Sequence, residues 1–457
     1  MSDSHRLFGT DGVRGSFGEP PLDHATVSAL AAHLAATLRE RTNGKPPVVV
    51  LGGDTRESTP EICRWLAAGL MAEGAGGVEV RYAGVIPTPG VAWLTKELGM
   101  AAGVVVSASH NPYPDNGIKL IDPEGTKWSD EDELALENRI KAHRPGEVPD
   151  LPSGQPKVEP ELRELYLRHL AETLPGERPL DGLKVVLDAG NGAASIYAGK
   201  LFGRLGARVT LLHAAPDGRN VNEGCGSTAP GEMAARVAAE GADLGAAFDG
   251  DADRCILADE KGEVRDGDAI LYLWATCLHR SGRLDPPRIV ATSMSNLGLE
   301  RALAAEGIGI VRCAVGDRYV VEAMRREGIL LGGEQSGHIV QSHLASTGDG
   351  LLTAIQIAFV RHQDGRPLSE MLAPFRRYPQ VLLNVKVKRK VDFKDLPAVT
   401  AAAQAVEERL GDDGRLVLRY SGTEPLARIM IEGPEQGMID GLAGEIATAI
   451  RGELGAG

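Results

Sequence analysis

One pattern recurs three times along this chain and restricts its fold more than any other feature. A short apolar strand, a helix, a strand, a helix and a third strand follow one another, and the third strand runs directly into a polar segment. The first block places strands at 48–51, 78–82 and 102–106 and helices at 59–73 and 87–98; it ends in Ser107-Ala108-Ser109-His110-Asn111-Pro112. The second has strands at 183–188, 208–212 and 244–248 and helices at 193–205 and 231–240; it ends in Asp249-Gly250-Asp251-Ala252-Asp253-Arg254. The third has strands at 288–292, 309–313 and 329–331 and helices at 297–306 and 317–327; it ends in Gly332-Gly333-Glu334-Gln335-Ser336-Gly337-His338. Local chemistry supports the alternation. Val48-Val49-Val50-Leu51 is the short β-branched run of a buried strand. Ser58 or Thr59 caps the next helix, Pro60 sits in its first turn and Gly74 stops it. Strands alternating with helices form largely parallel sheets covered on both faces. Ligands of such sheets bind beyond the carboxyl ends of the strands. All three polar segments stand at such ends, so the three blocks are expected to face one shared cleft.

Beyond residue 375 the pattern changes. Strands at 381–387, 416–420 and 427–432 combine with helices at 396–410 and 439–450, as in a separate α+β domain. Pro- and Gly-rich stretches at 145–156 and 374–379 read as linkers, and a weaker boundary lies at 259–267. With 457 residues, the chain far exceeds the roughly 250–300 at which one hydrophobic core stops growing. The expected class is α/β: three similar mixed-sheet α/β domains at 1–155, 156–257 and 258–374, and an α+β domain at 375–457, around a central cleft.

Charge and cysteine usage exclude several functions. Lys and Arg number 49 against 63 Asp and Glu, a net charge of −14, so the global field does not recruit nucleic acid. No apolar run is long enough for a membrane span. The cysteines Cys63, Cys225, Cys255, Cys277 and Cys313 are scattered without a Cys-x-x-Cys pair, which argues against a disulfide framework or zinc site and for a reducing compartment. Residues 1–15 hold no apolar signal core. A cytoplasmic protein is expected, with neither nucleic acid nor membrane as a partner.

Five segments could carry chemistry. Ser109 leaves a buried strand on a Pro-bounded loop, with His110 and Lys119 nearby to move its proton. A surface serine before a turn-forming Asn-Pro is the plainer alternative, and no Gly-x-Ser-x-Gly elbow supports a hydrolase. Asp249, Asp251 and Asp253 converge only if their loop curls around a common centre, where a divalent cation would relieve their repulsion. A calcium hand fails because Arg254 occupies the position that needs glycine, and both flanks are apolar strands. An Mg²⁺ site with room for a phosphate oxygen fits better. In the third segment, Gly333 and Gly337 allow close backbone approach, and Glu334, Ser336 and His338 suit sugar hydroxyls; a structural turn explains them equally well. Arg419-Tyr420-Ser421-Gly422-Thr423-Glu424-Pro425, with Arg428 beyond, offers backbone N–H groups, hydroxyls and two guanidinium forks, a reasonable phosphate nest or a plain hairpin turn. Phe8 to Gly15 presents Arg14 to another anionic oxygen. Gly190-Asn191-Gly192 opens a helix after a strand, but Ser195 replaces the third glycine of a dinucleotide fingerprint, so it reads as strand–helix packing. Phosphoryl transfer on a small polyhydroxylated phosphate uses the nucleophile, the metal loop, the hydroxyl-reading loop and the nest together. A non-enzymatic phosphosugar binder and a metal-dependent phosphatase are the competing classes.

These segments, in this order, resemble the α-D-phosphohexomutases over essentially the whole chain. Leu7 to Gly15, Val315 to Val320, Gly333 to His338 with Gln335, and Ser421 to Leu426 are most similar to the branch that acts on glucosamine phosphate. The mannose/glucose branch has the same mechanism and usually carries Met where Gln335 stands. The resemblance implies four domains around a deep cleft, with Ser109 as phosphoserine. It implies Mg²⁺, one per chain, held by Asp249, Asp251, Asp253 and a phosphoserine oxygen. Arg14, His110 and Lys119 would surround the transferring phosphoryl group, with Lys119 as general acid/base and His338 as the second candidate. Arg254, Glu334 and Ser336 would contact substrate, and Arg419, Ser421, Gly422, Thr423 and Arg428 would grip the other phosphate. Glucosamine 1,6-bisphosphate would be the activating intermediate of an isomerase that feeds UDP-N-acetylglucosamine and peptidoglycan precursors. Members of this branch are often homodimers. Ala252 departs from the family's Asp-Gly-Asp-Gly-Asp-Arg loop, and would strain it if that position needs positive φ.

Overall fold

The computed structural model describes residues 6–9, 11–42, 45–72, 77–142, 156–421 and 425–455. They form four sheets in chain order. The first runs Phe8–Gly9, Gly12–Ser16, Asp115–Ile121, Ala102–Val106, Val48–Gly53, Glu79–Val85. Its last three strands are parallel; the others join antiparallel. The second sheet runs Val264–Arg265, Cys255–Asp259, Leu244–Phe248, Lys184–Asp188, Arg208–Leu212. The third runs Gly309–Cys313, Arg288–Thr292, Leu331–Gly333, Ile339–Gln341. The fourth is antiparallel, with Leu426–Glu432 between Gln380–Lys386 and Arg415–Tyr420.

The first three sheets share a device. In each, a parallel strand turns back into an antiparallel return strand: Ala102–Val106 into Asp115–Ile121, Leu244–Phe248 into Cys255–Asp259, and Leu331–Gly333 into Ile339–Gln341. The three polar segments are the turns between them. Polar side chains thus emerge from the tightest part of each core, where the flanking strands are buried.

Many strands and helices fall where the pattern predicts them. The strand expected at 329–331 instead spans Leu331–Gly333, because Gly332 and Gly333 are in the parallel ladder with Val290 and Ala291. The helix expected at 59–73 spans Thr59–Met71. Ser58 does not cap it with its side chain; its hydroxyl donates to Asn116 Oδ1 instead. Gly74 and most of the 145–156 linker lie outside the described residues. The pattern did not reveal the helices His24–Arg41, Asp130–Lys141, Pro160–Glu172, Gly267–Arg280 and Gly350–Asp364. His24–Arg41 shows why: it packs against helices on two sides, so its alanine-rich faces carry little polar contrast.

Candidate active site

Ser109 lies three residues beyond the strand Ala102–Val106, within the turn, with φ +51°, the left-handed region that L side chains seldom adopt. It is buried, and its Oγ donates to Asp249 Oδ2 at 2.6 Å. The serine turn of the first sheet thus meets the carboxylate turn of the second. Gly250 makes the approach possible, because a Cβ there would stand 2.6 Å from the Ser109 carbonyl oxygen. The carboxylate oxygens of Asp249, Asp251 and Asp253 lie within 4.8 Å of one another, and all three residues are buried.

Some of these oxygens are committed. Asp249 Oδ1 accepts from the Arg254 N–H at 3.2 Å, and Asp251 Oδ2 accepts from Thr88 Oγ1 at 2.6 Å and Lys119 Nζ at 2.9 Å. Asp251 Oδ1 and Asp253 Oδ1 are buried without a hydrogen-bond partner. Buried carboxylate oxygens left open are costly unless something cationic meets them, and hard oxygen donors in this number fit Mg²⁺. Burial, then Asp253 and Asp251, holds the Asp249 carboxyl well above the usual carboxylate range. Burial acts the same way on Asp253 but is outweighed by Lys119, His338 and Arg254, which hold it low.

Lys119 lies on the return strand Asp115–Ile121 and is fully buried. Its ammonium also faces Asp253 Oδ2 at 3.7 Å and Asp11 Oδ2 at 3.4 Å. Burial lowers its proton affinity, but Asp11, Asp251 and Asp253 reverse this and hold it above the ordinary lysine value. Lys119 is therefore held as a cation by the carboxylates around it. Arg14, on the neighbouring strand, is held by Asp11, and its Nη1 is buried without a hydrogen-bond partner. His110 is open to solvent on one side; partial desolvation of its ring by the surrounding site, and then Arg254, lower its proton affinity.

The third turn completes this group. His338 Nδ1 faces Asp253 Oδ2 at 3.7 Å, and its Nε2 accepts from the Gly348 N–H at 3.1 Å. Nε2 is thus taken up by Gly348, while Nδ1 is turned toward Asp253. Glu334 accepts from the Gly316 N–H at 3.0 Å and, at 3.5 Å, from Ser336 Oγ. The metal and sugar turns are stitched together by the Cys255 N–H donating to Gly337 O at 3.0 Å. Arg254 is largely buried, and its Nε has no hydrogen-bond partner.

The fourth sheet carries a separate basic group. Arg419 and Arg428 are directly opposed on adjacent strands. Burial, then Arg428, lowers the Arg419 proton affinity. Arg428 Nη2 donates to Ser421 Oγ at 3.3 Å, and Lys390 Nζ to Ser421 O at 2.7 Å. Two facing guanidinium groups with a lysine beside them suit a dianion. Gly422 and Thr423 lie outside the described residues.

Sequence reasoning missed several residues that build the site. Asp11 and Lys127 pair with each other, and Lys127 reaches Asp317 Oδ2 at 2.5 Å, tying the first sheet's domain to the third's. Lys390 and Thr88 carried no local signal. Asp54 and Arg56 did: they follow a buried strand, as the recognised turns do.

Comparisons with known proteins agree with this geometry. The four domain signatures of the phosphoglucomutase/phosphomannomutase family match in order: α/β/α domain I at residues 5–146, II at 164–262, III at 266–378 and the C-terminal domain at 382–449. A phosphoglucosamine mutase of Solibacter usitatus is 44% identical over 98% of this chain and 99% of its own. The crystal structure of a phosphoglucomutase/phosphomannomutase family protein from Burkholderia thailandensis, 23% identical, superposes with a TM-score of 0.80 over 99% of this chain and 98% of that one. The Aspergillus fumigatus N-acetylphosphoglucosamine mutase, solved with GlcNAc-6P and magnesium, is 18% identical with a TM-score of 0.64, covering 98% and 96%. A serine seated on an aspartate triad, the sugar turn stitched to it and signatures along nearly the whole length lead to one assignment: the chain belongs to the phosphoglucomutase/phosphomannomutase family, the α-D-phosphohexomutases.

Proposed function

We propose that the chain interconverts glucosamine 6-phosphate and glucosamine 1-phosphate through a phosphoserine at residue 109. The observation that carries this is the 2.6 Å contact between Ser109 Oγ and Asp249 inside the aspartate triad. Asp249, Asp251 and Asp253 would hold one Mg²⁺, which would stabilise charge on the transferring phosphoryl oxygens. Phospho-Ser109 gives its phosphoryl group to O1 of glucosamine 6-phosphate: the O1–P bond forms as the Oγ–P bond breaks, Lys119 gives a proton to the leaving Oγ, and the proton lost by O1 passes to water. Glucosamine 1,6-bisphosphate then turns over and Oγ attacks its 6-phosphate: the Oγ–P bond forms as the O6–P bond breaks, the Oγ proton returns to Lys119, and O6 takes a proton from water. Glucosamine 1-phosphate leaves and the phosphoenzyme is restored.

Arg14 and His110 flank the reacting group, and Arg254 adds a cation beside the triad. Glu334 and Ser336 read the sugar hydroxyls, with His338 holding Asp253 in place. Arg419, Ser421, Gly422, Thr423 and Arg428 grip whichever phosphate is not in transfer. The amino-sugar preference is supported by Gln335 and by the relative from Solibacter usitatus. The absence of a membrane-length apolar helix among the described residues is compatible with a cytoplasmic enzyme.

Intact-mass measurement before and after mixing with glucosamine 1,6-bisphosphate tests the scheme. One phosphate-sized increment on residue 109 is expected, absent in Ser109→Ala together with all mutase turnover. Isomerisation by Ser109→Ala, or free phosphate released without isomerisation, would overturn it. Rates on glucosamine, mannose and glucose phosphates test the substrate, with the amino sugar expected to be fastest.

A further inference from the structure

Ser109 is held in its left-handed conformation by a buried collar that none of the assigned site residues supplies. Asp54 and Arg56 follow the strand Val48–Gly53 and form an ion pair at 2.7 Å, with both side chains wholly buried. The Arg56 guanidinium then spends its remaining donors on the catalytic turn. Its Nε donates to Asp115 O at 2.7 Å, and its Nη2 to Asn111 O at 2.6 Å and to Ser109 O at 3.4 Å. Ser107 works from the other side. Its Oγ donates to Asp54 Oδ2 at 2.6 Å and accepts from the Ser109 N–H at 2.9 Å.

The second domain closes the collar. Asn222 Nδ2 donates to Ser109 O at 2.9 Å and to Asn111 O at 3.2 Å. The Asn222 N–H donates to Gly190 O at 2.9 Å, and Thr55 Oγ1 donates to Asn191 O at 2.5 Å. The Ala193 N–H donates to Gly250 O at 2.8 Å, inside the carboxylate turn. The Gly190-Asn191-Gly192 loop thus braces the serine turn and the metal turn together. Both amide groups of Ser109 are therefore gripped, its N–H by Ser107 and its carbonyl by Arg56 and Asn222.

We propose that Arg56, anchored by Asp54, acts with Ser107 and Asn222 as a set of positioning residues for phosphoryl transfer, fixing the Ser109 backbone so that Oγ points at Asp249. The proposal rests on the reading of Ser109 as the phosphoryl carrier. Placement of this kind acts on rate: a misplacement of about 1 Å costs on the order of a hundredfold. It leaves sugar affinity alone, because no collar residue belongs to the turns that read sugar or grip the second phosphate. A lysine at position 56 would keep the charge beside Asp54 but lose the planar fork on three carbonyls.

The test compares wild type with Arg56→Lys, Ser107→Ala and Asn222→Gly. The measurements are kcat and KM on glucosamine 6-phosphate and the rate at which dephosphorylated chain gains mass from glucosamine 1,6-bisphosphate. Asn222 has φ +58°, so glycine keeps the backbone and removes only the amide. Arg56→Lys is expected to slow phosphorylation and kcat on the order of a hundredfold with KM within about twofold; the other two should show smaller losses with the same split. If Arg56→Lys does not fold, Ser107→Ala and Asn222→Gly still decide. Wild-type phosphorylation rates in folded variants, or losses confined to KM, would overturn the collar. A wild-type chain that takes no phosphate on residue 109 would overturn the function beneath it as well.

Discussion

Ala252 is buried between two metal-turn aspartates at φ +53°, so the strain expected if this position needed positive φ is present. An L residue there costs about 1–2 kcal/mol relative to glycine. Its buried methyl returns part of that, roughly 0.8 kcal/mol. Ala252→Gly should therefore change stability by about 1 kcal/mol or less, read as a melting shift of roughly a degree. Ala252→Val should lose at least about 2 kcal/mol, since a β-branched side chain in this conformation is a severe outlier, and should weaken Mg²⁺ binding in a titration. Asp349 makes a second residue-scale prediction. It caps the helix Gly350–Asp364 and accepts from Tyr166 Oη at 2.8 Å. Burial pushes its carboxyl up to about 6 despite those donors. The folded chain then binds more protons than the unfolded chain between about pH 4 and about pH 6. The stability this gives is complete below that window and is lost as pH rises through about 6. Asp349→Asn, still a good cap, should gain melting temperature relative to wild type between about pH 4.5 and about pH 7.

The strand Leu426–Glu432 does two jobs. Arg428 near its start faces Arg419 in the group proposed to grip phosphate, and Glu432 at its end is the buried anchor of the last domain. Glu432 accepts from Asn296 Nδ2 at 2.9 Å, the Leu297 N–H at 3.1 Å, Gln380 Nε2 at 2.9 Å and Arg415 Nη2 at 2.8 Å. Asn296 also holds the linker, accepting from the Tyr378 N–H at 2.8 Å and donating to Tyr378 O at 3.1 Å. Glu432→Ala would strand Arg415 and should cost about 3 kcal/mol or more, since breaking a buried pair leaves an unpaired charge. Its kinetic mark should be a raised KM for sugar phosphate, with mass gain on residue 109 unchanged. Elements of this kind mark the limit of what the chain reveals by inspection. Strands such as 244–248 and helices such as 231–240 were legible because a continuous apolar run or a 3.6-residue stripe identifies them locally. Ser109 and the aspartate triad stand out in the sequence because each follows a strand in a turn-forming segment, and Arg419 and Arg428 because they flank one. Glu432, Asn222 and Lys127 do not: each acquires its role from partners on another domain, and no local spacing encodes that.

At the scale of the molecule, the proposed catalytic group is assembled from turns on three separate sheets, and the fourth carries the arginine pair proposed to grip phosphate. Lys119 offsets only part of the charge on Asp251 and Asp253, and two of their buried oxygens have no partner, so chelating a divalent ion bound there should abolish turnover and also lower the melting temperature. A thermal scan beside an activity assay checks both. The same dispersal bears on how the chain acquires its shape. Gly12–Ser16 pairs with Asp115–Ile121, the strand that carries Lys119, and the Phe8 N–H donates to Glu137. About a hundred residues or more separate these partners, so the segment around Phe8 to Ser16 waits for its partner strand to be made and finds its place late. Its two strands are short and glycine-containing, which offers a poor template for pairing with another nascent chain during the wait.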